Sequence, residues 1–321
     1  MKTEPKIIVS TLTWNQRADT LECLASLQKV NYGNFEIAVV DNGSNDGTAE
    51  AIRAQYPKVH LVVNETNTGC AEGVNGEIRF FLSTDAEFLF ILGNDTIIDP
   101  EALRELVAVA QSDEKIGIVS PKVYYYDKPG ILWAARGGFF DWKKGRFTGF
   151  VQNVPDDGSH DADRDFGFFP GGFTFIRRTA LEQTGLLDPE YFIYYDDADW
   201  YFKVKKHGWR FAFAPKAKVW HKPSSSVGME SPTFYYYRTR NRLLFMKKTA
   251  KLRDWFFFTP FFFFDYLYNT VYSLARQGKW PHLAASAAGI LDFFRGRFGQ
   301  WTPDVKKAAR KSGVPPEKAG A

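Results

Sequence analysis

The chain has 321 residues, 45% hydrophobic and 24% charged, with a formal net charge of +4. That length buries a substantial core in one large domain with or without an appendage, and the composition excludes a chain disordered throughout. The charge is too mild for a nucleic-acid binder, and Cys23 and Cys70 alone make neither a disulfide framework nor a zinc site.

The N-terminal MKTEPKIIVS passes directly into a strand-like run without a secretory-signal pattern, and the two cysteines fit a reduced, cytoplasmic compartment. Residues 6–12, 35–40, 59–63 and 88–92 predict buried strands, being short and rich in β-branched or aromatic side chains. Between them Leu21, Leu24 and Leu27, then Val74, Ile78, Phe81 and Leu82, recur at helical spacing. Leu103, Leu106, Val107 and Ala110 predict another helix, opened by Asp99-Pro100-Glu101. The alternation predicts an α/β fold: a Rossmann-like, mostly parallel sheet flanked by helices. Ligands of such sheets sit at the carboxyl ends of the strands.

The four strands run into Thr11–Asn15, Asp41–Thr48, Asn67–Asn75 and Gly93–Thr96, all polar. Turn chemistry and capping account for any one of these junctions, but four on one rim point to a nucleotide site. There is no P-loop and no GxGxxG after the first strand. A nucleoside diphosphate held here would instead need a divalent cation, Mg²⁺ or Mn²⁺. Asp95, a hard carboxylate at a strand end, suits that ion and equally suits a turn or cap.

Residues 170–178 predict a strand entered through Gly171-Gly172, followed by a short helix and YFIYYDDADW. Asp196, Asp197 and Asp199 repel one another, and a buried member would hold its proton to higher pH and could serve as a base. The alternative is an acidic first turn for a helix over 198–206, with Asp199 facing Lys203. His221 closes the strand-like run 217–220, as a metal ligand or as a structural histidine. In WFFFTPFFFF (255–264), Pro260 and Asp265 stop the apolar run short of the ~20 residues that span a bilayer. The aromatic and basic segments to residue 297 predict helices lying in a membrane interface, packed on the catalytic domain, or packed on a second copy. A basic, disordered tail is expected from residue 301.

Taken in order, VSTLTWN, VVDNGSNDGT, NTGCAEGVN, LGNDT and FIRRTALEQTGLLDPEYFIYYDDADWYFKVKKHGW, closing in VWHK, resemble family 2 glycosyltransferases of the GT-A fold, especially the rhamnosyltransferase-like branch. The resemblance spans residues 6–245. It implies a metal-dependent, inverting enzyme that moves a sugar from a nucleoside-diphosphate donor to a glycan or lipid-linked acceptor in cell-surface polysaccharide synthesis. It places Thr11, Asn15 and Asp41 on the base and ribose, and Asn67, Gly69 and Asn75 beside the pyrophosphate and donor sugar. Asn94-Asp95-Thr96 stands at the metal motif with Asp95 as the retained acid, and His221 matches a metal ligand of some members. Asp196-Asp197 stands where the family has Glu-Asp, the second acid being the base. Arg240, in YYRTRN, would neutralise the diphosphate or meet lipid. Two departures weaken these matches: one carboxylate in the metal motif, and Asp196 one methylene short. The implied organisation is a catalytic domain over 1–230, divided at 112, a helical region over 231–300 and a tail, cytoplasmic and peripheral at the inner face of the membrane. The rival classes are an inactive GT-A scaffold and a sugar nucleotidyltransferase; the latter needs a glycine-rich basic loop that VSTLTWNQR lacks.

Overall fold

In a computed structural model that describes residues 4–162, 166–223 and 231–302, the chain opens on β1 (Ile7–Thr13), whose side chains are almost all buried. Helix α1 (Arg17–Leu27) returns over the sheet on Cys23, Leu24 and Leu27, and β2 (Phe35–Asp41) pairs parallel with β1. The pattern repeats through α2 (Thr48–Gln55), β3 (His60–Val63), α3 (Cys70–Leu82) and β4 (Phe88–Leu92). These are right-handed crossover units, in which each helix buries one apolar stripe on the sheet. The predicted strands and helices of this half are all present. One detail differs: residues 59–63 were expected to be buried, but β3 is the outer strand beyond β2 and leaves Val62 and Val63 exposed.

Then come β5 (Thr96–Ile98), α4 (Ala102–Ser112) and β6 (Ile116–Tyr125). Strand β6 was not anticipated; Gly117 and Pro121, residues that weaken or interrupt a strand pattern, lie within it. Pro121 lies where the partner strand shifts register, so its missing N–H falls at an irregularity in the ladder. The segment after β6 forms β7 (Ile131–Ala134), a hairpin of β8 (Phe139–Asp141) and β9 (Arg146–Thr148), and β10 (Val154–Pro155).

Strand β11 (Phe173–Arg177) is inserted antiparallel between β4 and β6, and leads into α5 (Arg178–Thr184). Helix α6 (Asp196–Lys206) and the long β12 (Arg210–His221) follow. The end of β12 pairs with β5, which sets His221 opposite Thr96. The sheet order is β10-β7-β6-β11-β4-β1-β2-β3, with β12 alongside β6 and β5. The sheet is therefore mixed, with parallel pairing along β3-β2-β1-β4 and between β6 and β12.

Among the described residues four helices follow β12: α7 (Pro232–Thr249), α8 (Leu252–Asp265), α9 (Ser273–Arg276) and α10 (Trp280–Phe294), with a π-helical stretch, Tyr266–Tyr272, joining α8 to α9. Among the described residues no helix is long and apolar enough to cross a membrane. Of the disordered tail expected from residue 301, Trp301 is instead packed, stacked on Tyr236 at 4.3 Å between ring centroids, and everything after residue 302 lies outside the described residues.

Candidate active site

The ends of β4 and β12, the glycine turn before β11 and the start of α6 surround a cavity of about 690 Å³. That volume suits a small-molecule ligand. Asp95, His221, Asp196 and Asp197 all line it.

Asp95 follows β4, and His221 is brought to it by the β5–β12 pairing. His221 Nε2 lies 3.3 Å from Asp95 Oδ2. The imidazole is held edge-on by Trp133 and Phe173, at 4.4 and 5.4 Å between ring centroids. Its Nδ1 is buried without a hydrogen-bond partner. A carboxylate and an imidazole converging on one point offer two ligands to a divalent cation. Among the described residues no cluster of three or more His, Cys, Asp or Glu surrounds that point. The residues thus fit an ion whose remaining ligands come from a bound diphosphate.

Asp196 and Asp197 are the first two residues of α6. The preceding loop is contorted: Phe192, Tyr194 and Tyr195 have φ of 66°, 66° and 69°. Non-glycine residues in the left-handed region cost of order 1–3 kcal/mol each and persist only where surrounding contacts impose them. Those contacts come from α7. Asn241 Nδ2 lies 2.7–2.9 Å from the carbonyl oxygens of Tyr191, Ile193 and Tyr194. Arg240 donates to the carbonyls of Glu190 and Tyr191, both at 3.0 Å, and to that of Gly299 at 2.7 Å.

Asp197 Oδ2 accepts the Gly171 N–H at 3.1 Å and Oδ1 accepts the Ala198 N–H at 2.7 Å. A Cβ at Gly171 would fall 2.8 Å from the Asp197 carboxylate, so only glycine allows this approach. The next residue, Gly172, accepts the Gly93 N–H at 2.8 Å. The glycine turn therefore ties Asp197 to the strand end that carries Asp95. Burial pushes both carboxyls of the pair upward, and the charge of Asp197 raises Asp196 further. The Gly171 and Ala198 N–H groups oppose the rise at Asp197.

The other expected residues are distributed differently. Asp41, buried at the end of β2, accepts the Ser44 N–H at 2.8 Å and keeps Oδ2 unpartnered. Asn15 Oδ1 accepts the Asn45 N–H at 2.8 Å, joining the first two strand-end loops. Asn67 accepts the Gly69 N–H at 2.9 Å, and Gly69 opens α3 at φ 89° against Phe192. None of the eight expected donor-binding residues lines the cavity, and four of them are engaged elsewhere in the fold. The side chain of Thr11 lies in the core. Asn94 Nδ2 points back to Gln16 and Thr20, at 2.9 and 3.1 Å. Asn75 bonds both polar groups of the Leu187 backbone, at 2.8 and 3.0 Å. Arg240, expected on the diphosphate, is wholly buried and engaged with carbonyls.

The cavity-lining cations are instead Arg146, on β9, and Arg238, on α7. Two helical positions are about 200° apart, so when Arg240 faces inward Arg238 faces elsewhere. That spacing was the available signal for Arg238. Arg146 had none, since the hairpin that presents it is not periodic. Phe147 and Tyr194 also reach the cavity.

Comparison with known proteins agrees with this architecture. The model of the family "Glycosyltransferase like family 2" matches residues 5–242. The chain is 26% identical over 228 residues to an N-acetylglucosaminyl-diphospho-decaprenol L-rhamnosyltransferase of Mycobacterium tuberculosis, covering 64% of this chain and 73% of that one. It is 23% identical over 307 residues to the dTDP-rhamnosyl transferase RfbF of Shigella flexneri, covering 90% and 95%. Among solved structures, GalNAc-T7 with UDP, GalNAc and Mn²⁺ aligns with a TM-score of 0.59 at 18% identity, over 77% of this chain but only 48% of that one. Staphylococcus aureus TarS 1-349 with UDP-GlcNAc aligns with a TM-score of 0.58 at 17% identity, over 90% and 80%. With a family match across most of its length and GT-A enzymes as its structural neighbours, the chain belongs to glycosyltransferase family 2.

Proposed function

We propose that the protein transfers a sugar, a deoxyhexose such as rhamnose, from a nucleoside diphosphate to a hydroxyl of a glycan or lipid-linked acceptor, inverting the anomeric carbon. The observation that carries this reading is Asp197: a half-buried carboxylate facing the cavity, oriented by two backbone N–H groups and tied through Gly171-Gly172 to the Asp95 strand end. The acceptor oxygen attacks the anomeric carbon while Asp197 takes its proton. The bond to the diphosphate breaks, and the electron pair leaves with the diphosphate. Positioned base catalysis of this kind contributes roughly 10²–10⁴-fold.

Asp95 and His221 are the residues that would hold Mg²⁺ or Mn²⁺, and such an ion supplies positive charge for the departing diphosphate. Arg146 and Arg238 add positive charge at the cavity wall. The raised carboxyls suit the role of a base near neutral pH, because a group of ordinary acidity would be a weaker proton acceptor. The names of the two bacterial relatives support a dTDP-linked rhamnose donor and a lipid-diphosphate acceptor. An acceptor of that kind places the enzyme in the cytoplasm, peripheral at the inner face of the membrane.

A melting-temperature panel of UDP-, GDP- and dTDP-sugars, each with and without Mn²⁺, tests this reading. A ligand at a hundred times its Kd adds about 2.7 kcal/mol to stability. The expected result is a shift with one nucleotide, larger with metal and smaller in Asp95→Ala. Folded protein that responds to no donor supports an inactive scaffold instead.

A further inference from the structure

Helix α8 carries an aromatic face that the described residues leave largely uncovered. Only Phe258 of its fourteen residues is buried, while Phe256 is 76% and Phe264 69% exposed. Helical periodicity sorts the rest. Phe256, Phe263, Phe264 and Leu267 fall on one side, all exposed, and Arg253 falls among them. Trp255, Phe258, Phe262 and Asp265 fall on the opposite side. A patch of this kind on a water-soluble surface marks a binding site.

The charges select the partner. Lys251, Arg253, Arg276, Arg295 and Arg297 are exposed around the C-terminal helices. Among the described residues the same region has three acids, and two of them also lie near exposed cations, Asp254 3.5 Å from Arg253 and Asp292 3.9 Å from Arg297. Asp254 accepts the Lys251 N–H at 2.9 Å, Asp265 pairs with Arg242 at 2.7 Å, and Asp292 accepts the Tyr236 hydroxyl at 2.9 Å. An aromatic face within a region of excess positive charge attracts anionic headgroups, and against a second copy of itself the same excess would set like charges opposite each other.

The inner side of α8 leads to the cavity. The Phe258 ring packs on Gly145, where a Cβ would come within 2.4 Å of it. Next along the hairpin, the Arg146 guanidinium lies 5.9 Å from the Phe261 ring centroid and also lines the cavity. Arg242 bonds the Lys144 carbonyl as well as Asp265. The turn at 143–146 thus lies between the aromatic helix and the cavity wall.

We propose that α8 docks the protein on an anionic lipid bilayer through Phe256, Phe263 and Phe264, holding the Arg146 wall of the cavity close to the headgroups. The benefit to a membrane-embedded acceptor rests on the function proposed above; the docking itself does not.

The test is co-sedimentation of the full chain with vesicles of phosphatidylcholine, alone or with phosphatidylglycerol. The expected result is binding to the anionic vesicles only, weakened about ten-fold or more in Phe256→Ser/Phe263→Ser/Phe264→Ser. Arg253→Glu, which leaves the aromatic face intact, should weaken it too, with melting temperature and donor affinity unchanged in both variants. Equal binding by wild type and variants overturns the proposal. So does a wild type that ignores vesicles and forms a dimer which the triple variant abolishes. Vesicle binding without transfer from any donor counts against the proposed reaction and leaves docking standing. Transfer to a water-soluble acceptor without vesicle binding overturns docking alone.

Discussion

Asp95 and His221 come from distant parts of the chain and meet at 3.3 Å, because the last residues of β12 pair with β5 immediately after the Asp95 turn. The contact depends on a strand pairing and not on a local motif. It also has a chemical consequence, since the groups that face each other here are the two that would share a divalent ion.

The metal account therefore predicts that Asp95→Asn and His221→Ala each weaken Mn²⁺-assisted donor binding, by of order ten-fold or more. Donor binding measured in chelator should change far less. Titration calorimetry with and without Mn²⁺ checks this, and equal losses under both conditions would argue that the pair contacts the donor directly.

The carboxyl pair predicts opposite pH trends for activity and stability. Both folded-state pKa values are raised by burial, so the pair's stabilising contribution is fully present below the ordinary aspartate value of about 3.9 and is lost as pH rises through the raised values. Activity needs Asp197 ionised and should rise over that same window. The acid limb of kcat/KM should accordingly lie above the ordinary carboxylate range. Melting curves of wild type and Asp196→Asn across pH should converge towards acid. A limb at the ordinary aspartate value contradicts the assignment.

Asn241 and Arg240 hold the contorted loop ahead of Asp196. Asn241→Ala should cost about 1–3 kcal/mol by leaving buried carbonyls unpaired, and should lower kcat more than donor affinity. Arg240→Lys should not rescue Arg240→Ala, because an ammonium cannot reproduce the fork that reaches Glu190, Tyr191 and Gly299. Denaturant melts with paired kcat and Kd values decide it; a loss confined to donor affinity would return Arg240 to the diphosphate.

Gly69 is the contact between the donor-side loop and the same contorted segment. A Cβ there would lie 2.5 Å from the Phe192 ring, and φ is 89°. Gly69→Ala should destabilise the protein by at least about 1 kcal/mol and depress transfer. Wild-type melting behaviour and turnover in this variant would show that the loop adjusts freely.

The crossover units were legible because β1, β2 and β4 are continuous apolar runs, with amphipathic helices at a clear period between them. Asp95, Asp196 and Asp197 were singled out by the family resemblance more than by their own chemistry, and the fold brings all three to one cavity. Three features were not legible. Strand β6 hides behind Gly117 and Pro121, and only its pairing with β11 and β12 shows that it is a strand. Arg240 and Asn75 are polar residues in a promising segment, yet each satisfies backbone groups remote in sequence, which no local pattern reveals. Arg146 reaches the cavity from a hairpin placed by aromatic packing of Phe140 and Phe147 on Phe245. Such long-range partners are the part of a site that a single sequence does not encode locally.

The central claim is that Asp197 is the base, and the direct measurement is transfer by Asp197→Asn with saturating donor and Mn²⁺, alongside its donor Kd. The account predicts kcat lowered by roughly 10²–10⁴-fold with donor affinity close to wild type. An Asp197→Asn enzyme that transfers sugar at the wild-type rate would contradict it.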